Sequence, residues 1–247
     1  MKKAFSFPLL LVYMLVLTAC QKKEKTLEDT FKKSVEWMWA QQSEDGGWHS
    51  KTHAVLRDGK VLTPYILFYL LKTPDFNTKK EQIEKATAFI ERSMHESIGH
   101  DSSSLEDYPN YSAAYALRVL HQLHRDSSIR KMIAHYLIDQ QFDTSRGFEQ
   151  AHLVYGGWGY GEKLGHGVHG HVDVSHTRRV LEALVESEFM NDDIREATLL
   201  FLSAAQHRKE DQRYLDSCSI QKMNFDGGFI SSPVTLETNK SVPVAID

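Results

Sequence analysis

Four histidines and one aspartate fall within eleven residues of the chain, a density that suits metal binding or acid–base chemistry. The run reads His166-x-x-His169-x-His171-x-Asp173-x-x-His176. Imidazole and carboxylate groups are ligands for zinc or another divalent transition metal. An imidazole beside a carboxylate is also a common general acid or base. The sequence therefore predicts His169, His171 and His176 as candidate metal ligands, and Asp173 and His176 as candidate catalytic residues.

Structural roles for the same residues stay open. Asp173 directly precedes an apolar stripe with helical spacing, so it could simply cap a helix. His176 could be a hydrogen-bonded core residue, and His169 and His171 could be solvated loop residues. On a helix, Asp173 and His176 lie three residues apart and share one flank, offset from the apolar stripe.

Helical periodicity runs through most of the chain and predicts an all-α fold. Apolar residues recur at helical spacing, and no stretch alternates with period two for long. Thr78 with Glu81 is expected to cap the third helix, and Thr63 with Pro64 to open the second. The predicted helices are 27–42, 61–71, 78–94, 111–124, 129–141, 174–188 and 194–206.

Composition excludes several functional classes. The 247 residues carry a formal net charge of −4, and 41% of them are hydrophobic, as in ordinary globular chains. This mild acidity argues against a nucleic-acid partner. Cys20 and Cys218 are the only cysteines in the sequence, which rules out a disulfide framework.

The first twenty residues are typical of an export signal. A basic head, Met1-Lys2-Lys3, precedes an apolar run over 5–19 that is shorter than the roughly 20 residues needed to span a bilayer. Its end, Leu17-Thr18-Ala19-Cys20, resembles the lipobox of bacterial lipoproteins. The resemblance implies a signal peptide over 1–19, acylation of Cys20 and a tether over 20–26. We therefore expect an extracytoplasmic protein of the bacterial cell envelope, with the membrane as a partner through Cys20.

A repeat underlies the predicted helices. In its first copy Gln42 ends a helix and Gly46-Gly47-Trp48 follows. The glycines permit a tight reversal, the glutamine amide is expected to satisfy helix-end groups, and the tryptophan to stack over the reversal. Three degenerate copies follow. One is Lys85–Ile90 with Met94, and the next is Tyr136-Leu137 with Gln141 and, later, Gly156-Gly157-Trp158. The last is Phe201-Leu202 with Gln206 and, later, Asp226-Gly227-Gly228-Phe229. Such a period indicates stacked helical hairpins.

This repeat resembles the glutamine–tryptophan repeat of squalene–hopene cyclases and the related repeat of protein prenyltransferase β subunits. The resemblance extends over 27–230 and implies an α/α toroid whose inner helices, 61–72, 111–124 and 174–188, surround a cavity. Trp48 and Trp158 are then candidate binding residues. Too few hairpins are present to close a ring, so we expect a partial or open array of about seven helices: an open arc, a fragment of a longer toroid, or an array capped by a partner or by self-association. The segment 231–247 is expected to be an irregular tail.

Both catalytic motifs of these families match the chain in part. The cyclase motif carries acids where Ser175 and His176 stand, so the resemblance implies that the cyclisation chemistry is lost. The zinc-histidine stretch of the prenyltransferases matches at Asp173, His176 and Thr177. Asp107 matches the acidic ligand of those enzymes and is a further candidate binding residue, but Pro109 stands where they have a cysteine.

Three functions stay open at this point. The first is a membrane-anchored module that binds a hydrophobic or isoprenoid-like small molecule without the cyclase chemistry. The second is an extracytoplasmic hydrolase or lyase that acts on envelope or carbohydrate material through His176 and Asp173, with or without a metal. The third is a protein-interaction scaffold, because fold analogy alone does not choose between them.

Overall fold

The computed structural model describes residues 26–53, 56–99, 108–161, 164–206, 213 and 227–234. Within these ranges it contains seven α-helices and no strand, apart from an isolated bridge between Gly159 and Val172. The predicted all-α class is confirmed. The expected signal peptide, Cys20, Asp107, Cys218 and the tail beyond residue 234 lie outside the described residues.

The seven helices match the seven predicted from periodicity, with ends that differ by a few residues. None of the helices in the described ranges is both long enough and apolar enough to cross a membrane. The helices are α1 (Leu27–Ala40), α2 (Leu62–Leu70), α3 (Lys80–Gly99), α4 (Pro109–Gln122), α5 (Ser127–Asp139), α6 (Val174–Glu186) and α7 (Asp192–Ala205).

The helix starts only partly follow the predicted capping. Asp126, Asp173 and Asn191 cap α5, α6 and α7, because their side chains accept backbone N–H groups of the first turn. Thr78, the predicted cap of α3, instead belongs to a preceding 3-10 turn, where its hydroxyl donates to the Asp75 carbonyl at 2.8 Å.

Two compact units divide the chain, Met1–Ala40 and Gln41–Asp247. In the first unit, the hydroxyl of Thr26 accepts the N–H of Asp29 at the start of α1. In the second unit, α4 packs against both α2 and α6, and α3 packs against α5. Helix α4 can lie this close to its neighbours because alanines, such as Ala113 and Ala116, occupy its buried positions.

Arg118 ties three helices together near the middle of α4. Its side chain is 7% exposed, and it donates to Glu182 at 3.0 Å and to Glu186 at 2.7 Å on α6. The same guanidinium lies 4.0 Å from the ring centroid of Phe68 on α2. Arg118 is the buried member of this group, so loss of both carboxylates would leave its charge uncompensated.

The two glutamine–glycine turns predicted from the repeat are built alike. In the first, Gln42 Nε2 donates to the carbonyls of Gly46 at 2.9 Å and Gln82 at 2.8 Å. In the second, Gln141 Nε2 donates to the carbonyl of Gly156 at 3.0 Å. The amide therefore closes its own turn, rather than satisfying the end of its own helix. The backbone pairs also correspond, because Ser43 and Phe142 each exchange hydrogen bonds with the glycine pair.

The first turn lies directly against α3, and the second turn lies directly against α7. A Cβ at Gly46 would stand 2.2 Å from the Lys85 carbonyl oxygen, and one at Gly156 would stand 1.7 Å from that of Ala197. The second glycine of each pair lies against an aromatic ring: Gly47 against Phe89 and Gly157 against Phe201. The contacted residues of α7 lie 112 positions beyond those of α3 (197 − 85 and 201 − 89). Helices α3 and α7 are therefore equivalent positions of the repeat, as are the turns that pack on them.

Candidate acid–base site

Residues 158–160 hold the starts of α4 and α6 together. The N–H of Asp173 donates to the Trp158 carbonyl at 3.2 Å, next to the bridge between Gly159 and Val172. On the other side, Asn110 at the start of α4 donates its backbone N–H to Tyr160 and its side-chain amide to Gly159. Side chains at the two helix starts are therefore neighbours, although about 60 residues separate them in sequence.

Asp173 is both a helix cap and the centre of a polar cluster. Its Oδ1 accepts the backbone N–H of His176 at 2.8 Å. Its Oδ2 accepts from His176 Nδ1 at 2.7 Å and from His171 Nε2 at 2.6 Å. Asp173 and His176 are buried, whereas His171 is partly exposed. The capping role and the pairing role therefore belong to the same carboxylate, one oxygen to each.

The hydrogen bonds fix the protonation of the His176 ring. A carboxylate only accepts, so the Nδ1 of His176 carries a proton. In the neutral ring the Nε2 then presents a lone pair. This Nε2 is buried and has no hydrogen-bond partner among the residues that the structure describes. A buried nitrogen with an unused lone pair is ready to accept a proton or to bind a metal.

Asp173 remains ionised in this setting. Burial by itself would raise the pKa of its carboxyl, but the hydrogen bonds from His176, together with the charges that His176 and His171 carry when protonated, outweigh burial and lower it. The ionised carboxylate can stabilise the imidazolium that forms when His176 takes up a proton.

Tyrosine rings enclose the two imidazoles. Tyr160 stacks on His171 with ring centroids 4.4 Å apart, and it meets His176 edge-on at 4.9 Å. Tyr111 meets the other side of His176 edge-on at 4.6 Å. Tyr108 lies parallel to the His176 ring at 6.1 Å. These rings partly cover the cluster and add hydroxyl groups to its rim.

Tyr108 adopts a strained backbone at the start of α4. Its φ is +63°, in the left-handed region that a residue with a Cβ rarely occupies. Such a conformation costs of order 1–3 kcal/mol and persists only where the surroundings enforce it. Here it places the ring beside both Tyr160, 5.0 Å away, and His176.

A guanidinium lies at the edge of the cluster. The hydroxyls of Tyr111 and Ser175 are hydrogen-bonded at 2.7 Å. Burial by itself would lower the pKa of Arg179, but the Tyr111 hydroxyl, Tyr115 and Glu182 more than compensate and raise it. Arg179 is therefore a permanent cation beside Tyr111, the tyrosine that contacts His176.

Two of the three candidate metal ligands, His171 and His176, lie beside Asp173 in the structure. His171, Asp173 and His176 each offer a ligand atom, and these atoms all lie within 4.8 Å of one another. Three protein donors are what a catalytic zinc takes. However, the two imidazole nitrogens are now hydrogen-bonded to one oxygen at 2.6 and 2.7 Å. Ligands of one tetrahedral zinc, each about 2.1 Å from it, stand roughly 3.4 Å apart. The observed spacing thus suits shared protons, and a metal would require the three groups to separate.

The other predicted site residues lie elsewhere. His169 is outside the cluster, with its Nδ1 bonded to the Gly170 carbonyl at 2.7 Å and its ring 5.8 Å from that of His152. Trp48 and Trp158 are 2% and 0% exposed. Each donates its backbone N–H at 3.0 Å to a helix threonine, Thr63 or Thr177. Both tryptophan side chains are therefore buried at their turns.

Sequence reasoning missed two residues of the site, Tyr108 and Tyr111. One available signal was the segment Tyr108-Pro109-Asn110-Tyr111 at a helix start, because proline favours the first turn. The structure adds a second signal. At the start of α4 the N–H of Ser112 donates to the Tyr108 carbonyl, and at the start of α6 the N–H of Thr177 donates to the Asp173 carbonyl. Ser112 therefore corresponds to Thr177, and Tyr111 to His176.

The chain matches no protein-family model, no curated protein and no solved structure.

Proposed function

We propose that this protein is a hydrolase or lyase in which His176, oriented by Asp173, is the general base. The observation that carries the proposal is the buried Nε2 of His176, which has no partner in the described part of the chain while Nδ1 is held by the carboxylate. This is the arrangement by which a carboxylate selects the reactive tautomer of a catalytic histidine.

The surroundings favour chemistry on a polar substrate. Tyr111, Ser175 and Arg179 place two hydroxyls and a cation beside the base. The base can take a proton from a water or from a substrate carbon, and the cation can offset negative charge that develops nearby. A binding site for an isoprenoid chain would gain nothing from these polar groups, so they support catalysis over storage of a hydrophobic ligand.

The fold supports a site in this place. We propose that α2, α4 and α6 are consecutive inner helices of an α/α toroid, with α3, α5 and α7 outside them. In support, α4 packs between α2 and α6, and α3 packs against α5. In this arrangement the base stands where two inner helices begin. From the lipobox resemblance we also expect anchoring through Cys20, which loss of palmitate labelling in Cys20→Ser would test.

Access to the base requires a ring to move. Nε2 of His176 is buried, and Tyr108, which is 38% exposed, lies over the ring. A backbone rearrangement that returned the φ of Tyr108 to negative values would release strain and move its ring. Substrate binding would therefore shift Tyr108 and expose the lone pair.

The test compares His176→Ala with His169→Ala, which removes an imidazole outside the cluster. The full chain is assayed on a panel of polysaccharides for new reducing ends and for the ultraviolet absorbance of unsaturated products. We expect His176→Ala to lower kcat/KM by about a hundredfold or more, and His169→Ala to change it by less than about threefold. Thermal unfolding checks that both variants fold. An active wild type whose His176→Ala variant retains full activity would overturn the proposal. Chelator treatment should leave activity unchanged, and its loss would make the site a metal centre.

A further inference from the structure

A row of tyrosines leads away from the base across α4 to α2. We call Tyr65, Tyr69, Tyr115 and Tyr111 the tyrosine row. Ring centroids are separated by 5.0 Å between Tyr65 and Tyr115, 6.1 Å between Tyr115 and Tyr111, and 4.6 Å between Tyr111 and His176. The row is therefore continuous with the acid–base site and longer than a single sugar ring.

The row is exposed at its α2 end, buried at Tyr115 and only partly exposed at Tyr111. Tyr65 and Tyr69 are 41% and 43% exposed, whereas Tyr115 is 1% exposed and supports both from beneath. Exposed large aromatic side chains that share one surface usually mark a binding site. Tyrosine presents an apolar ring face together with a hydroxyl, which matches a sugar ring with its C–H face and hydroxyl rim.

Charge at the row favours an anionic partner. Three guanidiniums, of Arg118, Arg178 and Arg179, contact the Glu182 carboxylate at 3.0, 2.7 and 3.1 Å. Glu186 adds one more carboxylate, on Arg118. Among these five residues one cation is in excess.

Arg118 and Arg179 both border the row, with guanidiniums 5.8 and 5.7 Å from the ring centroid of Tyr115. Arg118 is paired with two carboxylates, whereas the Nε of Arg179 is buried without a partner in the part of the chain that the structure describes. A carboxylate on a bound ligand would complete its neutralisation.

We infer that the tyrosine row binds an acidic glycan, a chain of sugars that carry carboxylates, and delivers it to His176. The inference rests on the proposed function and names its substrate class. Sugars would stack along Tyr65 and Tyr69 while a carboxylate meets Arg179. A lipid surface would instead need an exposed aliphatic face, whereas the exposed side chains on this face of α2 are tyrosines.

Binding of defined polyuronates to the full chain tests this inference. The probes are oligosaccharides of alginate, polygalacturonate and hyaluronate, their carboxyl-reduced forms, and vesicles of anionic phospholipid. We expect at least one polyuronate to bind, its carboxyl-reduced form to bind about tenfold more weakly, and the vesicles not to compete. Failure of all three polyuronates to bind, equal binding of a reduced form, or tighter binding of vesicles would overturn the inference.

Matched variants locate the surface. Tyr65→Ala with Tyr69→Ala should raise Kd about tenfold or more, whereas Phe229→Ala, which removes an aromatic ring that is 59% exposed, should leave it unchanged. Arg179→Gln should abolish the preference for the acidic over the reduced glycan, and Arg179→Lys should restore part of it. Thermal unfolding reports whether each variant folds, and unchanged binding in the folded tyrosine double variant would contradict the inference.

The two proposals fail in different ways. His176→Ala should bind the polyuronate with a Kd within about twofold of the wild type, because the variant removes the base and leaves the row. Polyuronate binding without turnover by the wild type would overturn the proposed function and leave the binding surface standing. Turnover of a neutral substrate without polyuronate binding would overturn the inference alone.

Discussion

The two glutamine–glycine turns share their architecture and differ in their chemistry. Both place a glutamine amide on a glycine carbonyl and a tryptophan N–H on a helix threonine. The N–H of that threonine donates to the residue four positions earlier, which is Gly59 in the first copy and Asp173 in the second. His176 of the second copy then corresponds to Leu62 of the first. The first copy makes the same turn without an acid–base pair, so the turn itself does not require one.

The loops that precede α2 and α6 also differ. In the first copy His49 lies directly against Gly59 and bonds to Asp45 and to the Arg57 carbonyl. In the second copy a glycine, Gly159, stands at the position after the tryptophan, and a Cβ there would lie 1.7 Å from the His171 carbonyl oxygen. The histidine is thus part of the turn in the first copy, whereas in the second a returning loop brings His171 to the carboxylate. His49 is therefore a structural residue of the first turn, whereas His171 belongs to the cluster that we propose to be catalytic.

The largest predicted effect tests what the two copies share. Gly46→Ala and Gly156→Ala should each lower the free energy of unfolding by about 3 kcal/mol or more, because a Cβ would overlap a carbonyl and φ is positive at both. Chemical denaturation measures this.

Gly167→Ala is the control for the glycine variants. Gly167 also has a positive φ, but nothing lies within 4 Å of an added Cβ. It should lose only about 1 kcal/mol, the conformational cost alone. Equal losses at all three glycines would show that the close approach of turn to helix contributes nothing.

A smaller effect, at acid pH, should be specific to the second copy. The folded pKa of Asp173 is lowered below its ordinary value of 3.8, so its ionised form stabilises the folded state above that value. The stability is lost as pH falls through the lowered folded pKa. The difference in unfolding free energy between the wild type and Asp173→Asn should therefore be constant near neutral pH and shrink below about pH 4. A difference that stays constant into acid would contradict the pairing.

The smallest effect, in the opposite pH direction, should be specific to the first copy. Burial by itself would lower the pKa of His49, but its bonds to the Arg57 carbonyl and to Asp45 outweigh burial and raise it. Its contribution to stability is then full below the ordinary value of 6.5 and is lost as pH rises through the raised folded pKa. The stability difference between the wild type and His49→Gln should decline as pH rises above about 7. A difference that grows with pH would reverse the assignment.

The sequence predicted local features well because local spacing determines them. Helical periodicity located all seven described helices, and the second turn was recognised although 14 residues separate Gln141 from Gly156. The spacing of Asp173 and His176 was sufficient to place them on one flank of a helix. The pair forms because an N-cap carboxylate naturally lies beside the third residue of its helix.

The features that the sequence did not predict depend on distant contacts. Tyr111 reaches His176 only because α4 packs against α6, 65 residues further along the chain (176 − 111). His169 was grouped with His171 because they are two residues apart, yet the loop directs it toward His152. The role of Thr63 as the acceptor for Trp48 likewise depends on the turn meeting the helix, which no local pattern encodes.

The central claim is that Asp173 holds His176 with its proton on Nδ1 and a lone pair on Nε2. Nitrogen NMR of the imidazole rings in the full-length protein at neutral pH measures this directly, with Asp173→Asn as the comparison. We predict that the neutral His176 ring carries its proton on Nδ1, and that this preference is lost in the variant. A His176 ring protonated on Nε2 in the wild type, or a tautomer unchanged by Asp173→Asn, would contradict the claim.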